Sequence, residues 1–428
     1  MLDYFASAPQ NSLTARQGKH DKGCISVIDP GISISLPPEL HPFVTAALDD
    51  LEIQNHLTGI AEVDAFVSAA AQFAATRGIP LPTDILKQVL RPDPLGIGRW
   101  AAAPITLDRW PPTQWLPARA DWLAAEPTFD WMWFGDEPLR APFFEDSSRY
   151  ASFMPFNWLM RVRTGLDGLI AATGTEDTLP PTGFIFHTSR CGSTLLARML
   201  MAADHHTVLS EPEPLDAVVQ WANASGASRE RQMAALRAVV AALGRRRSPQ
   251  TRRYFIKLDS WHILSMPLFR AAFPDVPWLF LHRDPVEILV SHREVPGLQA
   301  VPGSLLNHLA GIVDGEHMTP DAYLARVLAA YHRAGLAELE FGGGLAVDYK
   351  HLQQVAFEAS PHHFGFALDP DEAAGFAAAT KVNAKAPTLP FADDTAAKQG
   401  AAGDDLRRLI TDDMQADIRR LSGFAPAV

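Results

Sequence analysis

The stretch Gly183-Phe-Ile-Phe-His-Thr-Ser-Arg-Cys-Gly-Ser-Thr-Leu-Leu-Ala-Arg-Met-Leu200 constrains this chain more than any other. Phe184 to Phe186 form a short apolar run that reads as a buried strand. A small, polar turn follows from His187 to Gly192. Ser193 and Thr194 then open an amphipathic helix with Leu195, Leu196, Met199 and Leu200 on its apolar face. The first N–H groups of such a helix have no intrahelical partner, and its dipole favours negative charge. Strand, small-residue loop and helix N-terminus together predict an anion site in an α/β protein.

Length and composition bound what surrounds that site. At 428 residues the chain has room for two or three domains and a sizeable core. Apolar residues make up 47%, which argues against global disorder. Lys plus Arg total 37 against 49 Asp plus Glu, a net charge of −12. That balance speaks against nonspecific nucleic-acid binding, which draws its affinity from phosphate neutralisation. A local basic pocket remains compatible with it. The two cysteines, Cys24 and Cys191, lie in a polar arm and in the anion loop, and are not expected to pair. Without His ligands at suitable spacing they build no zinc site either, so no metal is expected. Residues 1–23 carry no apolar signal segment, and no run of about 18 apolar residues predicts a membrane span. The expected location is cytoplasmic.

In chain order, residues 1–100 read as a helical N-terminal domain. Residues 1–29 are a polar arm. Pro42 marks a helix start, with Val44, Ala47, Leu48 and Leu51 on one face. A second helix runs from Ala61 to a closing Gly78, and a third from Leu81 to Leu90, with Thr83 or Asp84 as its N-cap. This segment resembles the Nif11-type leader or nitrile-hydratase-like precursor domains, on Phe66-Val67, Gly78-Ile-Pro-Leu81 and the closing Leu-rich helix. The plainer reading is a helical cap on an enzyme. Residues 101–180 read as a Trp- and Pro-rich adaptor of short extended pieces and turns, with its tryptophans buried as packing. Residues 174–182 read as a linker. From 181 to 428 strands and helices alternate, the pattern of a parallel sheet with crossover helices. The basic run Arg245 to Arg253 reads as a solvated loop.

The nucleotide-triphosphate form of an anion loop is G-x-x-x-x-G-K-[ST]. Gly192 and Thr194 fit it, but His187 stands for the first Gly and Ser193 for the Lys. The cation lies inside the loop instead, at Arg190. The run Thr188-Ser-Arg-Cys-Gly-Ser-Thr-Leu-Leu196 resembles the 5′-phosphosulfate loop of sulfotransferases that use 3′-phosphoadenosine-5′-phosphosulfate (PAPS). It departs by Thr-Ser before the Arg and by Cys191 for a Ser. A second motif, Arg283-Asp-Pro with Ser291 two helical turns on, starts at a predicted strand end and enters a helix. Ligands of parallel sheets bind at that edge, and Arg283 can offer a phosphate a two-pronged donor. In the same family this pattern binds the 3′-phosphate. Ala346-Val-Asp-Tyr349 is similar to a later strand of the family, with Asp348 before the Tyr and Lys350-His351 after it as departures. The resemblance covers about residues 182–390. The fold it implies is α/β: a P-loop-type parallel sheet flanked by helices, preceded by the small helical domain and the adaptor.

The resemblance implies transfer of a sulfuryl group from PAPS to a hydroxyl or amine of a small molecule, sugar or peptide. Ser189, Arg190, Cys191, Gly192, Ser193, Thr194, Arg283 and Ser291 are the expected cofactor-binding residues. Glu211, Arg190, Lys257 and Asp259 are the expected catalytic ones. Sulfuryl transfer needs positioning and charge stabilisation, plus a base for the acceptor proton. Glu211 is the first choice for that base, since carbohydrate- and tyrosine-directed members use a Glu. Pro212 is expected to keep its backbone extended. Glu213, Asp259 and His262 are its rivals. Asp259 stands two residues after Lys257, where cytosolic members carry a catalytic His. Cys191 reads as a small residue replacing Ser, with a thiol pKa lowered by the helix N-terminus. Two other readings stand beside this one: a P-loop kinase of a small molecule, and a non-catalytic nucleotide-binding module.

Overall fold

The computed structural model describes residues 36–91, 104–122, 125–304, 307–385 and 388–426. The polar arm with Cys24, Trp100, and the boundary expected near residue 100 lie outside the described residues.

A five-stranded, wholly parallel sheet organises the larger part. Its strands are β5 (Gly183–His187), β6 (His206–Ser210), β7 (Arg253–Lys257), β8 (Trp278–His282) and β9 (Gly344–Asp348), in the order β6-β7-β5-β8-β9. The inner strands β5 and β8 are buried along their whole length and read as apolar runs for that reason. Side chains alternate between two cores. Phe184, Phe186, Ile256, Trp278 and Phe280 pack on one face, with the helices Arg229–Leu243 and Pro320–Glu340. Ile185, Phe255, Leu279, Leu281 and Val347 pack on the other, with the loop helix Ser193–Met201 and the helix Leu352–Glu358. The chain leaves β5 toward one edge for β6 and β7, then crosses to the other side for β8 and β9. Such a reversal opens a crevice at the carboxyl ends of the strands beside β5.

Ahead of this sheet lie a smaller one and a set of short helices. The small sheet comprises β1 (Ile105–Leu107), β2 (Trp115–Asp121), β3 (Thr128–Trp133) and β4 (Val162–Gly165), in the order β1-β4-β3-β2. The Trp-rich segment is thus a sheet and not only isolated extended pieces. Trp110, Trp115 and Trp131 are buried in it. The helical pattern expected from Pro42 breaks at Asp50 into His41–Asp49 and Leu51–Leu57, because the Asp50 carboxylate caps the second helix at the N–H groups of Glu52 and Ile53. The helix Thr83–Val89 has Pro82 at its N-cap and no side-chain cap, so neither Thr83 nor Asp84 plays that part. Trp115 donates its indole N–H to Gln54 at 3.2 Å, which ties these helices to the small sheet. One apolar core runs from Leu36 through Trp131 to Leu421.

The basic run corrects an expectation. Arg245 and Arg247 are buried, not solvated. Arg245 lies against Trp110 and Trp131, donates to the Pro111 and Pro112 carbonyls at 2.7 and 3.0 Å, and pairs with Glu176 at 2.8 Å. Arg247 donates to the Gly135 and Glu137 carbonyls at 2.6 and 3.1 Å. A guanidinium has five donors in a flat fork and stacks on aromatics, so it serves as a bolt between layers where a solvated lysine would not. The Thr178–Arg245 bridge draws the 174–182 segment into the same joint.

Candidate active site

The cleft beside β5 has a volume of about 510 Å³. Its floor is the anion loop. Ser189 and Arg190 adopt left-handed φ values of 68° and 50°, and Gly192 one of 83°. Such conformations cost non-glycine residues energy and persist where the surroundings enforce them. A Cβ at Gly192 would lie 2.6 Å from Leu352 Cδ2 and 2.8 Å from Tyr349 Cδ2, so both the backbone and the space require glycine. No side chain caps the helix that follows, which leaves its first N–H groups facing the loop.

Each loop residue is held from outside. His187, ending β5, accepts the Ser189 N–H at Nδ1 (3.0 Å) and donates from Nε2 to the Leu258 carbonyl (2.9 Å). The Ser189 hydroxyl oxygen accepts from Gln299 and lies 3.3 Å from His292 Nε2. With its oxygen taken twice, the hydroxyl proton is left to point elsewhere. Burial and the charges of Arg190, Lys385 and Lys398 bring His292 down to about 4, so it is a neutral donor at pH 7. Arg190 rests on the Val295 carbonyl at 2.8 Å and lines the cleft. Cys191 is fully buried, donates to the Leu281 carbonyl at 3.4 Å and does not line the cleft. Burial pushes its thiol up, but the His187 ring and nearby N–H groups pull it below its ordinary value.

Glu211 follows β6 with φ 52°, in place of the extended backbone expected before Pro212. Its N–H donates to the Lys257 carbonyl at 2.7 Å, and its Oε1 accepts from the Lys257 ammonium and lies 3.5 Å from His187 Nε2. These contacts over-determine the strained turn. Burial pushes the Glu211 carboxyl up, but Lys257 and His187 draw it well below the ordinary carboxylate range. Glu211 lines the cleft, and among the described residues its Oε2 makes no hydrogen bond. Asp259, after β7, also lines the cleft. Burial and the repulsion of Asp216 and Glu211 raise its carboxyl well above its ordinary value. His262 has both ring nitrogens engaged, accepting from the Asp259 N–H at 3.3 Å and lying 2.8 Å from the Asp216 carboxylate. Glu213 accepts the Ala120 N–H of the small sheet at 2.8 Å and does not line the cleft.

At the far end Arg283 follows β8. It lies 4.0 Å over the Tyr349 ring, donates Nε to Glu287 at 2.5 Å and Nη2 to Asp394 at 2.6 Å. Ser291 is buried on the helix Pro285–Glu294 and lines the cleft, and its hydroxyl has no partner among the described residues. Thus Arg190, Glu211, Asp259, Arg283 and Ser291 converge on one cavity, with Lys257 behind Glu211.

The sequence reading missed several residues of this cleft. Phe143 enters it from beyond the small sheet, its ring centroid 5.0 Å from Lys257 Nζ and 6.0 Å from Lys385 Nζ. Lys385, Asp394 and Lys398 come from the C-terminal segment. Desolvation at the cleft wall and the nearby Arg190 and Lys257 charges bring Lys385 down to about 8. A signal existed: three of the eight lysines fall between 381 and 398.

No family model and no curated protein matches this chain, so nothing further bears on the resemblance of its N-terminal helices to leader domains. Among solved structures it is similar to the sulfotransferase domain from the curacin biosynthetic pathway, 15% identical with a TM-score of 0.37, covering 58% of this chain and 100% of that one. It is similar to the sulfotransferase domain from the Synechococcus PCC 7002 olefin synthase at 14% identity and a TM-score of 0.33, covering 59% and 97%. A sulfotransferase from Alicyclobacillus acidocaldarius is 14% identical with a TM-score of 0.35, covering 57% and 95%. Among the described residues no helix is long and apolar enough to cross a membrane.

Proposed function

We propose that the chain is a PAPS-dependent sulfotransferase acting on a hydroxyl or amine. The observation that carries this reading is that both anion motifs, about 90 residues apart in sequence, line a single cavity. The chemistry of the donors fits the group: a glycine-lined loop with a free helix N-terminus at one end, and a guanidinium with a cleft-lining hydroxyl that has no partner among the described residues at the other. When bound, PAPS supplies an activated sulfuryl group on a phosphate leaving group.

In this reading the N–H groups of the loop and of Ser193 and Thr194 hold the 5′ end. Arg190, Lys257 and Lys385 surround it with positive charge, which stabilises charge moving onto the leaving oxygen. Arg283 and Ser291 hold the 3′-phosphate. Glu211 takes the acceptor proton at Oε2, while Lys257 is shared between Glu211 and the incoming anion. At rest Lys257 keeps Glu211 a weak base. An anion that draws Lys257 away raises the basicity of Glu211 where it is needed. Asp259, buried and raised, is the second group at that wall. The N-terminal helices and the small sheet serve as a supporting layer that delivers Phe143.

A kinase reading has less behind it, since Ser193 occupies the position of the phosphate-reaching lysine. The test is release of adenosine 3′,5′-bisphosphate from PAPS in the presence of EDTA, scanned over small-molecule, sugar and peptide acceptors. Acceptor-dependent release is expected, and Glu211→Gln should lower it by about 10²–10⁴-fold. Phosphoryl transfer from ATP with no use of PAPS would overturn the reading. Collapse in Asp259→Asn with Glu211→Gln near normal would move the base to Asp259.

A further inference from the structure

The distal end of the cleft already contains an anion, and it belongs to the protein. Asp394 accepts from Arg283 Nη2 at 2.6 Å and pairs with Lys398 Nζ at 2.6 Å. Arg283 also pairs with Glu287. Two cations thus face two carboxylates, and these four charges cancel. The two carboxylates are not equivalent. Glu287 is 6% exposed and is held further by Gln399 at 2.8 Å. The Asp394 side chain is 46% exposed. It starts the short helix Thr395–Ala401 but does not cap it; the neighbouring Asp393 does, accepting the Thr395 N–H at 3.0 Å. Asp394 therefore spends its carboxylate wholly on Arg283 and Lys398. Ser291, 8% exposed as a residue, lines the same cleft, and its hydroxyl has no partner among the described residues.

We propose that Asp394 is a resident carboxylate occupying the 3′-phosphate subsite, and that a ligand's phosphate binds there by displacing it onto solvent. This rests on the function proposed above. Departure of Asp394 leaves Arg283 and Lys398 to the newcomer and takes its own negative charge out of their reach. A phosphomonoester dianion regains more from the two cations than the carboxylate gives up, whereas a monoanion only replaces like with like. Asp394 thereby sets a threshold that selects doubly charged groups. It also couples occupancy to the helix Thr395–Ala401, which carries Lys398 on the residue four positions on.

The experiment is calorimetric titration of the full chain and of Asp394→Asn with adenosine 3′,5′-bisphosphate and with adenosine 5′-monophosphate, at one ionic strength. Asn keeps the size and removes the charge, and no cap is lost. The bisphosphate should bind about tenfold more tightly to Asp394→Asn, since the cost of vacating the subsite is removed. The monophosphate should bind both forms alike. Amide exchange over residues 395–401 should rise on bisphosphate binding to the native chain. Equal or weaker bisphosphate binding by Asp394→Asn would overturn the proposal, making Asp394 a fixed support for Arg283. If the native chain does not distinguish bisphosphate from monophosphate, the sulfotransferase reading fails and this proposal falls with it. If it does distinguish them while Asp394→Asn changes nothing, only the displacement idea is lost.

Discussion

Gly192 shows how much a single backbone position holds in place. Its φ of 83° and the closeness of Leu352 and Tyr349 leave no space for a methyl group. Gly192→Ala should lower stability by about 1 kcal/mol or more and weaken bisphosphate binding, because relief of the clash moves either the loop or Tyr349, on which Arg283 rests. Calorimetry and a thermal melt on the variant check both. At this scale the residues flanking strand ends were readable in advance. Arg190, Glu211, Asp259 and Arg283 each follow a short run that reads as a buried strand, and parallel sheets put those positions along one edge. The left-handed turn at Glu211 was not readable. It depends on a Lys257 carbonyl and ammonium, contributed by a strand residue 46 positions further along.

Among elements, the joint made by Arg245 is the least expected feature. A run of arginines between two structured segments reads as solvent-facing because charge is costly to bury. What reverses that here is a set of carbonyls at a Pro-Pro turn and two indole faces, all from the small sheet. Burial brings Arg245 down to about 10, still charged at neutral pH, with Glu176 opposing the shift. Arg245→Ala should cost about 3–5 kcal/mol, the penalty for breaking a buried ion pair and stranding its partners. Its loss should appear as a lowered denaturation midpoint, and a change within 1 kcal/mol would show the joint to be held by apolar packing alone. The small sheet itself escaped the sequence for a related reason. Its strands are short, β2 is interrupted by Pro117, and β1 pairs with β4 across more than fifty residues, so no local turn signal announces that pairing. The C-terminal contributors to the cleft, Lys385 and Asp394 on connecting segments and Lys398 on the short helix Thr395–Ala401, take positions that depend on the whole fold.

At the scale of the whole molecule, several buried histidines tie stability to pH. Burial lowers His206, His282 and His332 from an ordinary value of 6.5 to about 4. Between those limits the unfolded chain binds protons that the folded chain refuses. Stability is therefore complete above pH 6.5, falls as the pH drops toward 4, and falls no further on their account below it. Buried Glu213, raised to about 7, acts in the opposite sense over the same interval, so the histidine contribution is read as a difference: from pH 6.5 to pH 5, His332→Gln should lose less melting temperature, or gain more, than the native chain. The same change of melting temperature with pH in His332→Gln and the native chain would contradict the assignment of His332 as buried and neutral.

In the proposed function, two separate anion motifs serve as one site for a nucleotide charged at both ends. Calorimetry of adenosine 3′,5′-bisphosphate against adenosine 5′-monophosphate, on the native chain and on Arg283→Ala, tests it most directly. The account predicts that the native chain binds the bisphosphate more tightly. Arg283→Ala should lose about 2–4 kcal/mol of that binding, the range for a charge-assisted phosphate contact, and little of its affinity for the monophosphate. Equal affinity of the native chain for the two nucleotides would contradict it.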